Sequence, residues 1–257
     1  MTATLDQEAP ESDALTFDAE HIARGWLSVA LARSTDEARP ALTGINIEFF
    51  ERGVRLVATD SYMLLRSWVG AGDAPEPDLD EAPSRRAVAL DVYGRGAGLM
   101  RHMLALATAK DAPPYDVRVS IGPDPRVDIE PSFVGFERQC AIFDVPDQEL
   151  LTLPLYEGDW PDWRHLWDTW TSHTTTEVHF APELIVARLG KLGKLHPGST
   201  VGWSFGGPTG AAKIVLSPAE PSVEGLAMPT KVHLPDLAPD GEGPSDEDRI
   251  RNAAANG

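Results

Sequence analysis

The chain has 257 residues and carries 40 Asp and Glu against 22 Lys and Arg, a net charge of −18. Its length allows one large or two small cores, and seven Trp with 42% hydrophobic residues indicate a folded globular protein. No apolar run approaches the roughly 18 residues of a membrane span. The acidic N-terminus MTATLDQEAPESDA has no apolar h-region and is read as no secretory signal. Cys140 is the single cysteine, which excludes a disulfide framework and disfavours a cysteine-based zinc site. A cytoplasmic location is expected. The acidity alone argues against nucleic-acid binding, whose affinity comes mainly from neutralised phosphates, but its distribution along the chain matters more than the sum.

Three segments repeat one pattern of short strand, turn or capping residue and amphipathic helix. The first runs Leu15-Thr16-Phe17, Asp18, then Ala19 to about Arg33. The second runs Val88-Ala89-Leu90, Asp91, then Val92 to about Lys110. The third runs Val178-His179-Phe180, Ala181-Pro182, then Glu183 to about Leu195. Asp18 and Asp91 suit an N-cap and Pro182 a first helical position. Apolar residues recur at helical spacing: Ile22, Trp26 and Val29; Leu99, Met103 and Leu106; Ile185, Leu189 and Leu192. Strands are predicted after each helix, at 44–50 and 54–59, at 116–121, 126–130 and 134–143, and at 200–205, 211–216 and 223–228. The first pair forms a hairpin turning at Glu51-Arg52-Gly53, with Val54, Leu56 and Ala58 sharing one face. The repeat is therefore a β-α-β-β-β unit, and the fold class is α+β, with helices on one face of antiparallel sheets.

Connecting segments differ in composition. Residues 70–84, with three Pro and five acids, read as a mobile surface loop. Residues 169–176 are polar and read as a linker between a segment 14–168 and a segment 177–234. Residues 1–13 and the acidic, Pro/Gly-rich 235–257 read as disordered. Gly94-Arg95-Gly96-Ala97-Gly98 follows a strand and opens a helix, but its G-x-G-x-G spacing departs from a dinucleotide-binding loop. The His residues show no metal-ligand spacing. Asp60 and Asp162 read as turn or hydrogen-bonding residues, and no Ser/His/Asp arrangement is evident. Neither a cofactor nor a metal is expected, and the chain is read as no enzyme.

The charge is segregated. Helices 19–33, 92–110 and 182–196 contain Arg24, Arg33, Arg95, Arg101, Lys110, Arg188, Lys191 and Lys194 against only Glu20 and Glu183, so they carry +6 and leave −24 for the rest. One reading is ordinary solvated helix faces. The other is a basic surface that attracts phosphates without reading sequence, and the near absence of acids favours it.

Residues 39–69, RPALTGINIEFFERGVRLVATDSYMLLRSWV, resemble the middle domain of bacterial sliding clamps, the β subunits of replicative polymerases. That family's pattern is R-P-x-L-x-G followed by L-x-x-V-A-T-D-G-H-R-L-A. Two further segments match in the family's order. In EGDWPDWRHLW (157–167), Glu157-Gly158 and Pro161-Asp162-Trp163-Arg164 fit (D/E)-G-x-F-P-D-Y-R. In VEGLAMPTKV (223–232), Leu226, Met228, Pro229, Lys231 and Val232 fit the family's C-terminus. Two departures stand out: Ser61-Tyr62-Met63 replaces the family's G-H-R, and His165 replaces a basic residue at the pocket edge.

The resemblance implies a DNA-clamp fold, helices lining the inside of a ring, and partners that are double-stranded DNA, a polymerase and a clamp loader. Polymerase and loader would bind through short linear peptides in a hydrophobic pocket. Carried over by position, that pocket comprises Thr59, Leu64, Pro161, His165, Leu166, Leu226, Met228 and Pro229; core packing alone would also explain Leu64, Leu166 and Leu226. The DNA-facing set is the eight basic residues above. The chain shows three units where the family has six, so a homo-oligomer is expected: four chains if twelve units close the ring, a dimer of paired half-domains, or a trimer. A clamp-like interaction module that recruits or sequesters clamp-binding proteins without encircling DNA is the second reading.

Overall fold

The computed structural model describes residues 14–91, 94–110, 113–123, 139–146, 150–170, 180, 182–207 and 210–229. Of the expected elements, the strand 126–130, residues 134–138, most of the linker and both acidic termini lie outside these residues. So do Val178 and His179; Phe180 is described but is not in a strand.

The first unit comprises β1 (Leu15–Asp18), α1 (Ala19–Ala30), a single turn α2 (Pro40–Thr43), β2 (Gly44–Phe50), β3 (Gly53–Thr59) and β4 (Met63–Gly70). The second comprises β5 (Arg85–Leu90), α3 (Arg95–Ala107), β6 (Asp116–Pro123), β7 (Gln139–Asp144) and β8 (Leu151–Tyr156). A short helix α4 (Trp163–Asp168) follows, then α5 (Pro182–Leu195), β9 (Thr200–Phe205), β10 (Ala212–Ser217) and β11 (Ser222–Ala227). Four differences from the sequence reading matter. α1 ends three residues early, β4 supplies the unpredicted third strand of the first unit, β8 is the last strand of the second unit, and α4 was read only as a motif.

The helix starts follow local chemistry. The Asp18 carboxylate accepts the His21 N–H at 3.0 Å and caps α1. Asp91 caps α3 from outside the turn. Its two oxygens accept the Gly96 and Ala97 N–H groups at 2.6 and 3.1 Å, while Gly94 takes the N-cap position with φ 68°. Gly96 eases that approach, since a Cβ there would meet Asp91 Oδ1 at 3.1 Å and the carboxylate would have to give.

The described strands join one antiparallel sheet in the order β1-β6-β7-β8-β5-β2-β3-β4-β11-β10-β9. Units one and two exchange strands: β1 pairs with β6, and β5 pairs with β2. The third unit attaches through β11, which runs antiparallel to β4 with Leu226 opposite Leu64. Along β2, β3 and β4 the side chains alternate. Ile45, Ile47, Val54, Leu56, Ala58, Met63 and Leu65 join the core beneath α1, α3 and α5, with Trp26 and Met100 fully buried at its centre.

The opposite face is covered as well, which the alternation did not predict. Residues 71–84, expected to be mobile, lie across it and are pinned. Arg55 donates to Glu76 at 2.9 Å and to the Pro77 carbonyl at 2.8 Å, and Trp68 Nε1 donates to the Ala74 carbonyl at 2.9 Å. α4 docks beside them. Arg164 holds Glu48 with two bonds of 2.7 and 2.5 Å, and Trp163 Nε1 donates to Glu48 at 3.2 Å. Glu48 is 1% exposed and Arg55 is fully buried, so these charges are stabilised by one another rather than by water.

Candidate peptide-binding site

A cavity of about 320 Å³ opens where the β4–β11 seam emerges from this cover. The β3–β4 turn supplies Thr59, Ser61, Tyr62, Met63 and Leu64; α4 and its end supply Leu166, Thr169 and Trp170; the β9–β10 connection supplies Gly206, Gly210 and Ala211; and β11 supplies Leu226 and Met228. Leu64 and Leu226, cross-strand partners, are buried at its base. Tyr62, Leu166 and Met228 stand 56%, 55% and 46% exposed, far more than apolar side chains of a closed core. None of the described lining residues is charged. The volume and lining suit one or two apolar anchors of a ligand with polar backbone at the rim.

The walls are fixed by polar contacts. Thr59 Oγ1 donates to the Met63 carbonyl at 2.9 Å and accepts the Ser61 N–H at 3.1 Å, while Asp60 Oδ1 accepts the Tyr62 and Met63 N–H groups, both at 2.9 Å. This turn drives Ser61 to φ 78°, a left-handed conformation that favours glycine. The family pattern has Gly at this position. The Met228 N–H donates to the Tyr62 carbonyl at 2.8 Å, and Trp170 Nε1 donates to the Ala211 carbonyl at 2.8 Å. The other oxygen of Asp60 accepts from Arg188 on α5 at 2.5 Å. Asp60 thus ties the turn to the third unit, and Asp162 caps α4 by accepting the His165 N–H at 3.4 Å; both act structurally, as their sequence context suggested.

Of the eight pocket residues expected, Thr59, Leu64, Leu166, Leu226 and Met228 line this cavity. Pro161 lines a separate, polar cavity of about 560 Å³ beside Glu48, Arg86 and Arg164. His165 and Pro229 line neither. The expected set omitted Ser61, Tyr62, Met63, Thr169, Trp170, Gly206, Gly210 and Ala211, of which Ser61, Tyr62 and Met63 were noted only as a departure from the family pattern. Only the Gly-Gly-Pro-Thr-Gly run between two strands hinted that backbone approaches closely there.

The eight basic residues divide into two groups. Arg24 pairs with Glu20 at 2.6 Å, Arg33 with Asp91 at 3.0 Å, and Arg188 with Asp60. Arg95, Arg101, Lys110, Lys191 and Lys194 are exposed, and none of them has an ion pair among the described residues. α3 and α5, which carry four of these five, flank α1 on the same face of the sheet. Among the described residues no cluster of His, Cys, Asp and Glu could hold a metal ion, and no helix is long and apolar enough to cross a membrane.

No protein-family model matches the chain, and no curated protein matches it. Solved structures do. A DNA polymerase sliding clamp from Pseudomonas aeruginosa superposes with a TM-score of 0.57 at 13% identity, over 90% of this chain and 70% of that one. The beta subunit from DNA polymerase of Streptococcus pyogenes gives 0.53 at 16%, over 88% and 68%. A Pseudomonas aeruginosa DnaN sliding clamp bound to griselimycin gives 0.55 at 13%, over 90% and 68%. The chain therefore has the sliding-clamp fold and spans about two thirds of the length of these clamps.

Proposed function

We propose that this chain is a DNA sliding clamp: a non-enzymatic, oligomeric protein that encircles duplex DNA through the phosphate backbone and tethers a polymerase and a clamp loader by their short linear peptides. One observation carries the reading. Three sequence segments far apart in the chain, around Thr59–Leu64, Leu166 and Leu226–Met228, converge on one uncharged, partly open cavity. Core packing explains Leu64 and Leu226 but not the exposure of Tyr62, Leu166 and Met228 beside them.

On the helix face, Arg95, Arg101, Lys110, Lys191 and Lys194 supply flexible, exposed cations suited to sliding contacts. Arg24, Arg33 and Arg188 are paired with acids instead, and their loss from the basic face favours a second reading, a module that binds clamp-seeking peptides without encircling DNA.

Fluorescence anisotropy with a labelled synthetic peptide bearing a Leu and a Phe tests the cavity. Micromolar binding is expected. Met228→Asp, at an exposed position that leaves the fold intact, is expected to weaken it at least about tenfold by placing a charge in an apolar slot. No binding, or equal binding by the variant, would refute the site. Retention on nicked circular but not linearised DNA, lost in Lys191→Glu/Lys194→Glu, separates the two readings; peptide binding without any such retention supports the module.

A further inference from the structure

The β3–β4 turn belongs to both faces of the sheet. Ser61, Tyr62 and Met63 wall the cavity on the outer side, while α5 packs on the core side through Ile185 and Leu192 and leaves Lys191 and Lys194 exposed. Asp60, 7% exposed, stands between the two. Its Oδ1 accepts the Tyr62 and Met63 N–H groups, both at 2.9 Å, and its Oδ2 accepts from Arg188 Nη2 at 2.5 Å. Among the described residues no other hydrogen bond or ion pair joins this turn to α5.

Arg188 is only half satisfied there. Its Nη1 is buried and has no hydrogen-bond partner among the described residues. Folded proteins pair nearly all such groups, because a buried unpaired N–H is costly. The side chain is nevertheless 17% exposed, so it lies at the edge of the surface. Lys191 follows it by three positions, and residues so spaced are neighbours on a helix. A guanidinium suits a carboxylate or a phosphate, and it pairs with either through two parallel N–H groups. Two anions can therefore compete for it. Turned inward, it holds Asp60 and leaves Nη1 unpaired. Turned outward, it places both Nη groups on a phosphate held by Lys191, and Asp60 loses its cation.

We propose, on the reading that duplex DNA lies along α5 and a peptide fills the cavity, that Arg188 is a positioning residue through which the two sites oppose each other. A phosphate on α5 draws Arg188 off Asp60, the turn that presents Tyr62 and Met63 loosens, and the cavity holds its peptide less well. A peptide against the turn keeps Asp60 and Arg188 together and withholds that cation from the phosphate. The two effects are one free energy of coupling and are equal in size. The direction follows from one cation having two mutually exclusive partners.

The test is fluorescence anisotropy on the full chain at low salt, with the labelled Leu- and Phe-bearing peptide and a short duplex DNA, each titrated alone and in the presence of the other. Saturating duplex is expected to weaken peptide binding about fivefold in the wild type, and saturating peptide to weaken duplex binding by the same factor. In Arg188→Gln, with folding checked by circular dichroism, peptide binding without DNA is expected to be weaker and the coupling factor to fall to about one, while Lys191 and Lys194 still hold the duplex. Arg188→Lys keeps the charge without the paired Nη groups, so an intermediate factor is expected, and it carries the test should the glutamine variant not fold. If both ligands bind the wild type independently, or each strengthens the other, the coupling is refuted. A factor unchanged in both variants also refutes it, since a duplex that merely covers the cavity would act alike in all three proteins. Failure of either ligand to bind the wild type alone removes the proposed function and the coupling with it, and the separate titrations tell these failures apart.

Discussion

Acid is expected to loosen the third unit through one histidine. His196, just past the end of α5, is 4% exposed and its Nε2 lies 2.8 Å from Ser28 Oγ on α1. Burial, and secondarily the charge of Arg24, push its pKa down to about 4 from 6.5. A depressed histidine is neutral in the fold while the unfolded chain takes up a proton below 6.5. Stability therefore falls as pH drops from about 6.5 to about 4 and is unaffected by this group above that window. With those two pKa values the loss attributable to His196 reaches about 2 kcal/mol at pH 5, a sizeable part of a typical 5–15 kcal/mol. Carboxylates titrate over part of the same range, so the comparison needed is with His196→Gln, whose amide can still bond Ser28 but cannot become charged. Urea unfolding of both proteins at pH 7 and pH 5 should show the wild type losing about 2 kcal/mol more than the variant between the two. Equal losses would refute the account. Because His196 fixes α5 to α1 behind the seam that floors the cavity, peptide affinity should fall over the same pH window in the wild type and less in the variant.

Two further substitutions test the walls of the site. Ser61→Gly removes the cost of a left-handed Ser at φ 78°, and even after the added flexibility of the unfolded chain it should raise stability by about 0.5–1 kcal/mol in thermal unfolding; a destabilised variant would show the turn is not strained. Glu48→Gln takes from Arg164 its buried carboxylate partner and leaves the fully buried Arg55 with Glu76 alone. It should cost about 3–5 kcal/mol in urea unfolding and weaken peptide binding by releasing α4; a loss under about 1 kcal/mol would mean that the pair is not buried in solution.

The three-helix repeat was legible because each signal was local. Asp18 and Asp91 announced helix starts, Ile22, Trp26 and Val29 kept a helical period, and Ile45–Phe49 with Val54–Ala58 kept a period of two. What was not legible depended on contacts distant in sequence. β4 contains Arg66 and Trp68 among apolar residues, and only its burial between β3 and β11 makes it a central strand. Trp163 to Asp168 is a single turn and a half, too short for a period, and exists as a helix because Glu48, 115 and 116 residues away in sequence, holds Trp163 and Arg164.

The same long-range contacts explain why five of the eight residues expected in a pocket line the cavity and three do not. Glu48, Arg55 and Arg66 alternate with apolar neighbours and read as a solvent face, yet Glu76, Arg164 and Glu224 pair with them and bury that face. Once the outer side of the sheet is covered by 71–84 and α4, the seam where the cover stops is left to line an apolar slot. Leu64 and Leu226 lie on that seam by register, and Leu166 and Trp170 lie where α4 ends. Pro161 and His165 sit at the start and outer side of α4, where they shape the cover rather than the gap. A pocket placed by segment resemblance is thus corrected by asking which residues of each segment border the uncovered seam, and Tyr62, Leu166 and Met228 qualify because their exposure places them on the rim rather than in the core.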